Sequence, residues 1–552
     1  MTAPVGSLRA GVFVAMAAGL VLLGALSSAG FFSIDEVVYF MGAEALLSSG
    51  SLAVENGFDI LGADDLKVWF LREGPLGLVP QYPVGTALAG APLIALFGEK
   101  GLVALNVAAS IATLVAAHAL ARRLFGCLRL ADLSVVLLVL CTFWIEYAVG
   151  HWPHAVSVLT TTLALWFFLG ALERGRDAWR PALWSGAALG AGLLFRLDGV
   201  LLLPALAAAT ILFAAQPVRV LAGGAAGVLP MLAALSATNF AKFATLNPLS
   251  YGTSGGGTDI TRHLGAGALM LAALGALALL RRIGPLGPRL RLALAGGGVA
   301  ALVLLALSPL APYLGRLGIG IERLLLDATA LPAVYPGMEV QADGTLLFLG
   351  LPKKALAQSM PWLGCLAVLA GAAWGTHRRS LAVALIVIAT WMLPFLLLSW
   401  HGGLSSNMRY FLPLLPVLSA LGAWVILRLA DLAGGAGVRP ATWGVMAGLL
   451  LGALWLAFLP GRGAALHQIA SGWVFHAIAL ICLLAGIAAR PALARAAIVA
   501  VGAGLGLAFF VSVDDVAAGQ KRRLAMERLS AIGAGVPAPA LPDDPAAGRK
   551  VA

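Results

Sequence analysis

The stretch Phe31-Phe32-Ser33-Ile34-Asp35-Glu36-Val37-Val38-Tyr39 follows the apolar run Ala10–Ser28. That run is close to the roughly 20 residues a helix needs to cross a bilayer. Two adjacent carboxylates therefore stand where a first membrane helix meets water. Charge at such an edge is costly unless something uses it. Ser33-Ile34-Asp35-Glu36 also has the S-x-x-E spacing of a capping box, in which Ser33 caps a helix and Glu36 returns to its backbone. An acid in the first turn suits the helix dipole as well. Both readings, cap and functional site, stand for this pair.

The surroundings of this stretch fix the class. Of 552 residues, 61% are hydrophobic and only 11% charged, against about 25% charged in soluble domains. Apolar runs near membrane length recur along the chain without the residue-by-residue alternation of a barrel. The expectation is an all-α polytopic membrane protein. The formal net charge of +11 sits in short basic clusters between apolar runs. That is the pattern of cytoplasmic loops and not of a nucleic-acid surface. The four cysteines, Cys127, Cys141, Cys365 and Cys482, form no CxxC, so neither a zinc site nor a disulfide framework is expected.

With the amino terminus inside and the first run read as an uncleaved helix, residues 32–100 form a long outer segment. Residues 83–98 are too short to span and are expected to be re-entrant or interfacial. If they spanned, Arg122-Arg123 would fall outside, against the positive-inside bias. Further spans are expected from 101–121 and 131–150, through 181–195 and 199–215, then 291–313, to 494–512, about 13–15 in all. Residues 1–512 would be one transmembrane module, and 513–552 a short polar tail outside. Gly186 and Gly190 form a small-xxx-small packing pair.

The other polar residues are read by whether they reach the outer end. His151 and His154, in Gly150-His151-Trp152-Pro153-His154, lie at the end of a span, as an interfacial cluster, a substrate contact or metal ligands. Glu146 lies about one turn deeper. Arg409 begins an outer helix end, either snorkelling to headgroups or holding a phosphate with its planar fork. Tyr410 and His401 lie beside it in sequence. Arg196 and Asp198 either pair with each other or face substrate. Lys67, Arg72, Lys242 and Tyr251 are outer-loop candidates for phosphate or sugar, or plain headgroup anchors.

Five motifs in order carry a resemblance. They are Asp35-Glu36-x-x-Tyr39 after an apolar helix, Tyr82-Pro83-Val84-Gly85-Thr86 with Leu96-Phe97-Gly98, Ala121-Arg122-Arg123-Leu124-Phe125-Gly126, Leu194-Phe195-Arg196-Leu197-Asp198-Gly199, and Met408-Arg409-Tyr410-Phe411-Leu412-Pro413. Together they resemble the GT-C glycosyltransferases, in particular the protein O-mannosyltransferase and aminoarabinose lipid A transferase group. The resemblance is collinear over residues 10–430. It implies a GT-C-like bundle with interfacial helices in the first outer loop.

It also implies a polyprenyl-phosphate sugar donor, a glycan, lipid or protein acceptor, and an active site facing the periplasm or exterior of an inner membrane. Asp35 would be the base, with Glu36 beside it. Arg409 and Tyr410, with Lys67 or Arg72, would hold the donor phosphate. His151, His154, Tyr82, His401 and Arg196 would contact substrate. A divalent ion, Mg or Mn, is left open. Where such enzymes often carry an acid this chain has His154, which argues against a carboxylate metal site there. Two other classes fit a polytopic chain with outward charge: a polysaccharide polymerase or ligase using a lipid-pyrophosphate donor, and a transporter.

Overall fold

The computed structural model of the chain describes residues 5–56, 67–252, 260–283, 311–371, 375–400, 402–403, 405–435, 438–459 and 461–533. Helices dominate it. Among the described residues, 8 helices are long and apolar enough to cross a membrane, and Ala10–Leu26, Leu197–Phe213 and Pro361–Ala370 are shorter apolar helices. The expected all-α multi-pass architecture is thus borne out. Most of the expected span 291–313 lies outside the described residues.

The first helix, α1 (Val5–Leu26), is followed by α2 (Ile34–Ser49), which begins at the acid pair. A two-stranded hairpin follows, β1 (Leu71–Gly74) against β2 (Gly77–Pro80), with Arg72 opposite Val79. Pro75 presets the turn and Gly77 takes a positive φ of 95°. α3 (Gly85–Phe97) has 13 residues, about 20 Å at 1.5 Å per residue. It is too short to span, as the sequence implies. α4 (Gly101–Phe125) then runs the full membrane length.

The expected span 131–150 is broken. α5 (Leu128–Leu140) ends and the short α6 (Trp144–Ala148) starts after a kink. Thr142 Oγ accepts the Trp144 N–H there at 3.2 Å. A turn leads into α7 (His154–Glu173), and Asn106 of α4 holds that turn by donating to the carbonyls of Gly150 and Trp152. α8 (Trp179–Leu193) and α9 (Leu202–Phe213) are short, as expected, and the link between them carries Arg196 and Asp198. α10 (Pro217–Phe243) packs on α8 through small residues: a Cβ on Gly186 would lie 2.0 Å from the Gly224 carbonyl oxygen.

Two ends of the bundle differ in chemistry. At one, Arg123 pairs with Glu173 at 3.3 Å, Arg379 donates to the Leu172 carbonyl and Arg219 to the Arg176 carbonyl. The opposite helix ends carry Asp35, Tyr82, the 150–154 turn, Arg196 and Arg409. Residues 338–352 form a three-stranded antiparallel sheet, β3 (Met338–Val340), β4 (Leu346–Phe348) and β5 (Leu351–Pro352).

The last helix corrects an expectation. We call it α11 (Pro491–Gly533); it is unbroken over 43 residues, about 64 Å. It does not end at 512 in a loose tail. The apolar first half gives way to a polar half whose Ser512, Asp515, Gly519 and Arg523 are buried. That spacing of three to four residues is one helix face turned inward.

Candidate active site

Asp35 stands in the first turn of α2, only 4% exposed. One carboxylate oxygen accepts the Tyr82 hydroxyl at 2.6 Å and the other accepts Arg409 Nη2 at 2.7 Å. Three of the residues singled out in sequence, 374 positions apart at the extremes, therefore meet. The Tyr82 ring stacks on Tyr39, centroids 4.1 Å apart, and stands edge-on to Tyr251. Lys242 donates to the Tyr82 carbonyl at 2.6 Å. The motif after Tyr82 has a local reason. Gly85 donates its N–H to the Leu194 carbonyl at 2.7 Å, and a Cβ there would lie 2.5 Å from that oxygen. Burial first, and then the Asp35 charge, hold the Tyr82 phenol well above its ordinary pKa. Tyr82 therefore remains a donor.

Arg409 is 6% exposed. Its Nε and Nη1 are buried with no hydrogen-bond partner among the described residues. An unpartnered buried donor costs free energy and is rare; here two lie side by side on one guanidinium. The ring of Trp152 lies 5.5 Å away and that of Tyr410 5.6 Å. Gly402 and Gly403, at φ 78° and 89°, let the backbone press against this side chain. A Cβ on Gly403 would sit 2.2 Å from Arg409 Nε. Arg196 grips Asp198 through Nε and Nη2, at 3.0 to 3.3 Å, so its local pairing is realised. The same guanidinium also lies 5.3 Å from the Tyr410 ring. His154 begins α7, buried, with Nε2 lacking a partner among the described residues.

Other expectations are corrected. Glu36 does not share Asp35's setting. It is fully buried and its carboxylate takes the Arg523 fork at 2.5 and 2.6 Å, the Phe32 N–H at 2.6 Å and the His151 N–H at 3.0 Å. Burial would push its pKa up, but Arg523, His151 and these donors leave it net below 4.5. The capping box does not form: Ser33 makes no side-chain cap, and Glu36 reaches Phe32 instead. His151 is spent in the same cluster, with Nδ1 3.0 Å from Arg523 Nη1 and Nε2 3.2 Å from the Glu99 carbonyl. Both of its ring nitrogens are therefore engaged within the protein. Lys67 pairs with Glu73 on the surface at 2.5 Å. Arg72 lies in the hairpin, its side chain against Gly252 and its Nε unpartnered among the described residues. His401 lies outside the described residues.

The sequence reading missed a second buried polar layer beside Arg409. Lys353 donates to the carbonyls of Gly403 and Ser405 at 3.1 and 2.8 Å. Burial, then the Arg409 charge, push its pKa well below the ordinary lysine value. Lys354 pairs with Asp515. Asn407 donates to both Glu146 and Asp515, at 2.8 and 3.0 Å, and Ser359 donates to its amide oxygen. The signal was present: Lys353-Lys354 ahead of an apolar run, and Asp515 and Arg523 eight apart on a continuing helix.

Among the described residues, no group of three or more His, Cys, Asp or Glu side chains is placed to hold a metal. Asp35 and His151 are engaged by arginines, and His154 Nε2 has no partner among the described residues. The described residues assemble no ligand set for a divalent ion.

Residues 83–238 match the family model described as dolichyl-phosphate-mannose-protein mannosyltransferase. No curated protein matches the chain. Among solved structures, it is similar to the Archaeoglobus fulgidus oligosaccharyltransferase AglB in complex with an inhibitory peptide and a dolichol-phosphate. That similarity has 14% identity and a TM-score of 0.47, covering 89% of this chain and 55% of that one. The chain thus spans little more than half the length of that protein. It is also similar to ArnT from Cupriavidus metallidurans in the apo state, at 14% identity and a TM-score of 0.43, covering 95% of this chain and 79% of that one. The resemblance read from the sequence is borne out by the family match, which takes in the 150–154 turn and the Arg196–Asp198 link. The chain is a multi-pass membrane protein similar, over residues 83–238, to the dolichyl-phosphate-mannose-protein mannosyltransferases.

Proposed function

We propose that this protein is a membrane glycosyltransferase. It moves a sugar from a polyprenyl-phosphate donor to an acceptor hydroxyl, at the end of the bundle facing away from the cytoplasm. The observation that carries the reading is the Asp35–Arg409 pair, a buried acid and a guanidinium with two nitrogens unpartnered among the described residues. The basic cluster at the other end of the bundle supports the orientation through the positive-inside bias. Nucleotide sugars are made in the cytoplasm, so a transferase on the far side needs a donor that crosses the bilayer. A lipid-linked sugar meets that need, and the family match accords with it.

The reaction is a single displacement. The acceptor oxygen attacks the anomeric carbon and its proton passes to Asp35. The bond from the anomeric carbon to the phosphate oxygen breaks with inversion, and polyprenyl phosphate leaves. Arg409 offers Nε and Nη1 to the departing oxygens; fixed donors where charge develops are the largest usual contribution to catalysis. As the guanidinium turns its charge to the phosphate, Asp35 is released to take the proton. Tyr82 keeps the carboxylate oriented throughout. Glu36 is a support of this site and not a second base.

Purified protein supplied with labelled polyprenyl-phosphate sugars tests the reading. Asp35→Asn should fold and cut transfer by about 100-fold or more, as expected for loss of a general base. Transfer retained within a few-fold would remove Asp35 from the role.

A further inference from the structure

Asp35 and Arg409 belong to distant parts of the chain, and the 146–151 segment bonds both sides: Glu146 accepts from Asn407, and the His151 N–H donates to Glu36. α11 touches both sides. Its Arg523 grips Glu36, the neighbour of Asp35, with a parallel two-bond fork. Its Asp515 accepts from Asn407, two residues before Arg409, and pairs with Lys354. The Lys354 backbone N–H in turn donates to the Ser406 carbonyl at 2.8 Å. Asp515 and Arg523 are eight residues apart, about 12 Å along one helix face.

The grip on the acid side is extended. Gln520 accepts the Ser28 N–H at 2.9 Å, and Glu527 accepts the Ser28 hydroxyl at 2.5 Å. Arg522 donates to the carbonyls of Phe32 and Leu349, both at 3.0 Å, tying the start of α2 to the three-stranded sheet. Between the two grips stands Trp152, with the Arg409 guanidinium 5.5 Å and the Arg523 guanidinium 5.6 Å from its ring.

We propose that the polar half of α11 sets the spacing of the Asp35–Arg409 pair, with Arg523 and Asp515 as positioning residues that never touch substrate. This rests on the glycosyltransferase reading. A rigid helix suits the task, because a displacement of about 1 Å at reacting groups costs on the order of 100-fold in rate. Arg523 rather than lysine suits it because the planar fork fixes direction as well as charge.

The test is a double-mutant cycle on the full-length protein in detergent, with undecaprenyl phosphate as the probe and calorimetric titration as the readout. Asp35→Asn removes a negative charge beside the anion, so it should tighten undecaprenyl phosphate about five-fold or more in the otherwise native chain. In an Arg523→Lys background, where Asp35 is no longer held against Arg409, the same change should gain less than about two-fold. Arg523→Lys alone should lower turnover about ten-fold or more at a temperature where the protein is fully folded. If Arg523→Lys fails to fold, Glu36→Gln/Arg523→Gln replaces it, leaving no charge unpaired. An equal change in both backgrounds, no change included, overturns the proposal and leaves the functional reading standing. A native chain that does not bind undecaprenyl phosphate overturns the reading itself.

Discussion

Arg409 meets Asp35, Trp152 and Tyr410. One of its nitrogens is held by Asp35, and the others face no partner among the described residues. Its position depends on Gly403, which has no side chain and takes a φ of 89° that L side chains rarely adopt. Gly403→Ala would bring a methyl within 2.2 Å of Nε. The expected outcome is a folded protein whose affinity for polyprenyl phosphate falls about ten-fold or more, with little change in acceptor KM. Equilibrium binding of the lipid phosphate checks it, and unchanged affinity would detach Gly403 from the site.

At the scale of elements, α2 is clasped against the 150–154 turn and α11 by the Glu36–Arg523–His151 cluster. Its acid response has a definite sign. Burial, offset in part by Glu36, lowers His151 to about 4 from 6.5. Between those values the unfolded chain binds a proton that the folded chain does not, so stability falls as pH drops through that window. Glu36, lowered from 4.5, adds to the loss once pH passes below about 4.5. Thermal unfolding in detergent should show a midpoint that declines from about pH 6.5 and more steeply below about 4.5. Glu36→Gln/Arg523→Gln should blunt the steeper limb. A flat profile would mean that the cluster opens in solution.

At the scale of the whole molecule, the polar half of α11 is a structural requirement. Removing one partner of a buried ion pair costs about 3–5 kcal/mol, and a chain cut after residue 512 loses the partners of both Glu36 and Lys354. That is a large part of the usual 5–15 kcal/mol of a folded domain. Truncation at 512 should therefore give aggregated protein on size-exclusion chromatography in detergent. A monodisperse truncated protein with a native unfolding midpoint would show that the tail is dispensable.

The sequence by itself determined the class, the short α3 and the paired α8 and α9, and it singled out Asp35, Tyr82 and Arg409, which the structure brings together. The class, the helices, Asp35 and Arg409 follow from local physics, namely run length, charge sidedness and polar residues stranded at helix ends, whereas Tyr82 came from the family resemblance. The sequence left Glu36 between a cap and a site residue, and it took residues 513–552 for a polar tail because polar composition resembles solvated chain. Only the tertiary structure decided those, along with Lys353, Asn407 and Asp515. A buried charge is stable where its partner meets it, and those partners lie 50 to 487 positions away, beyond the reach of any local pattern.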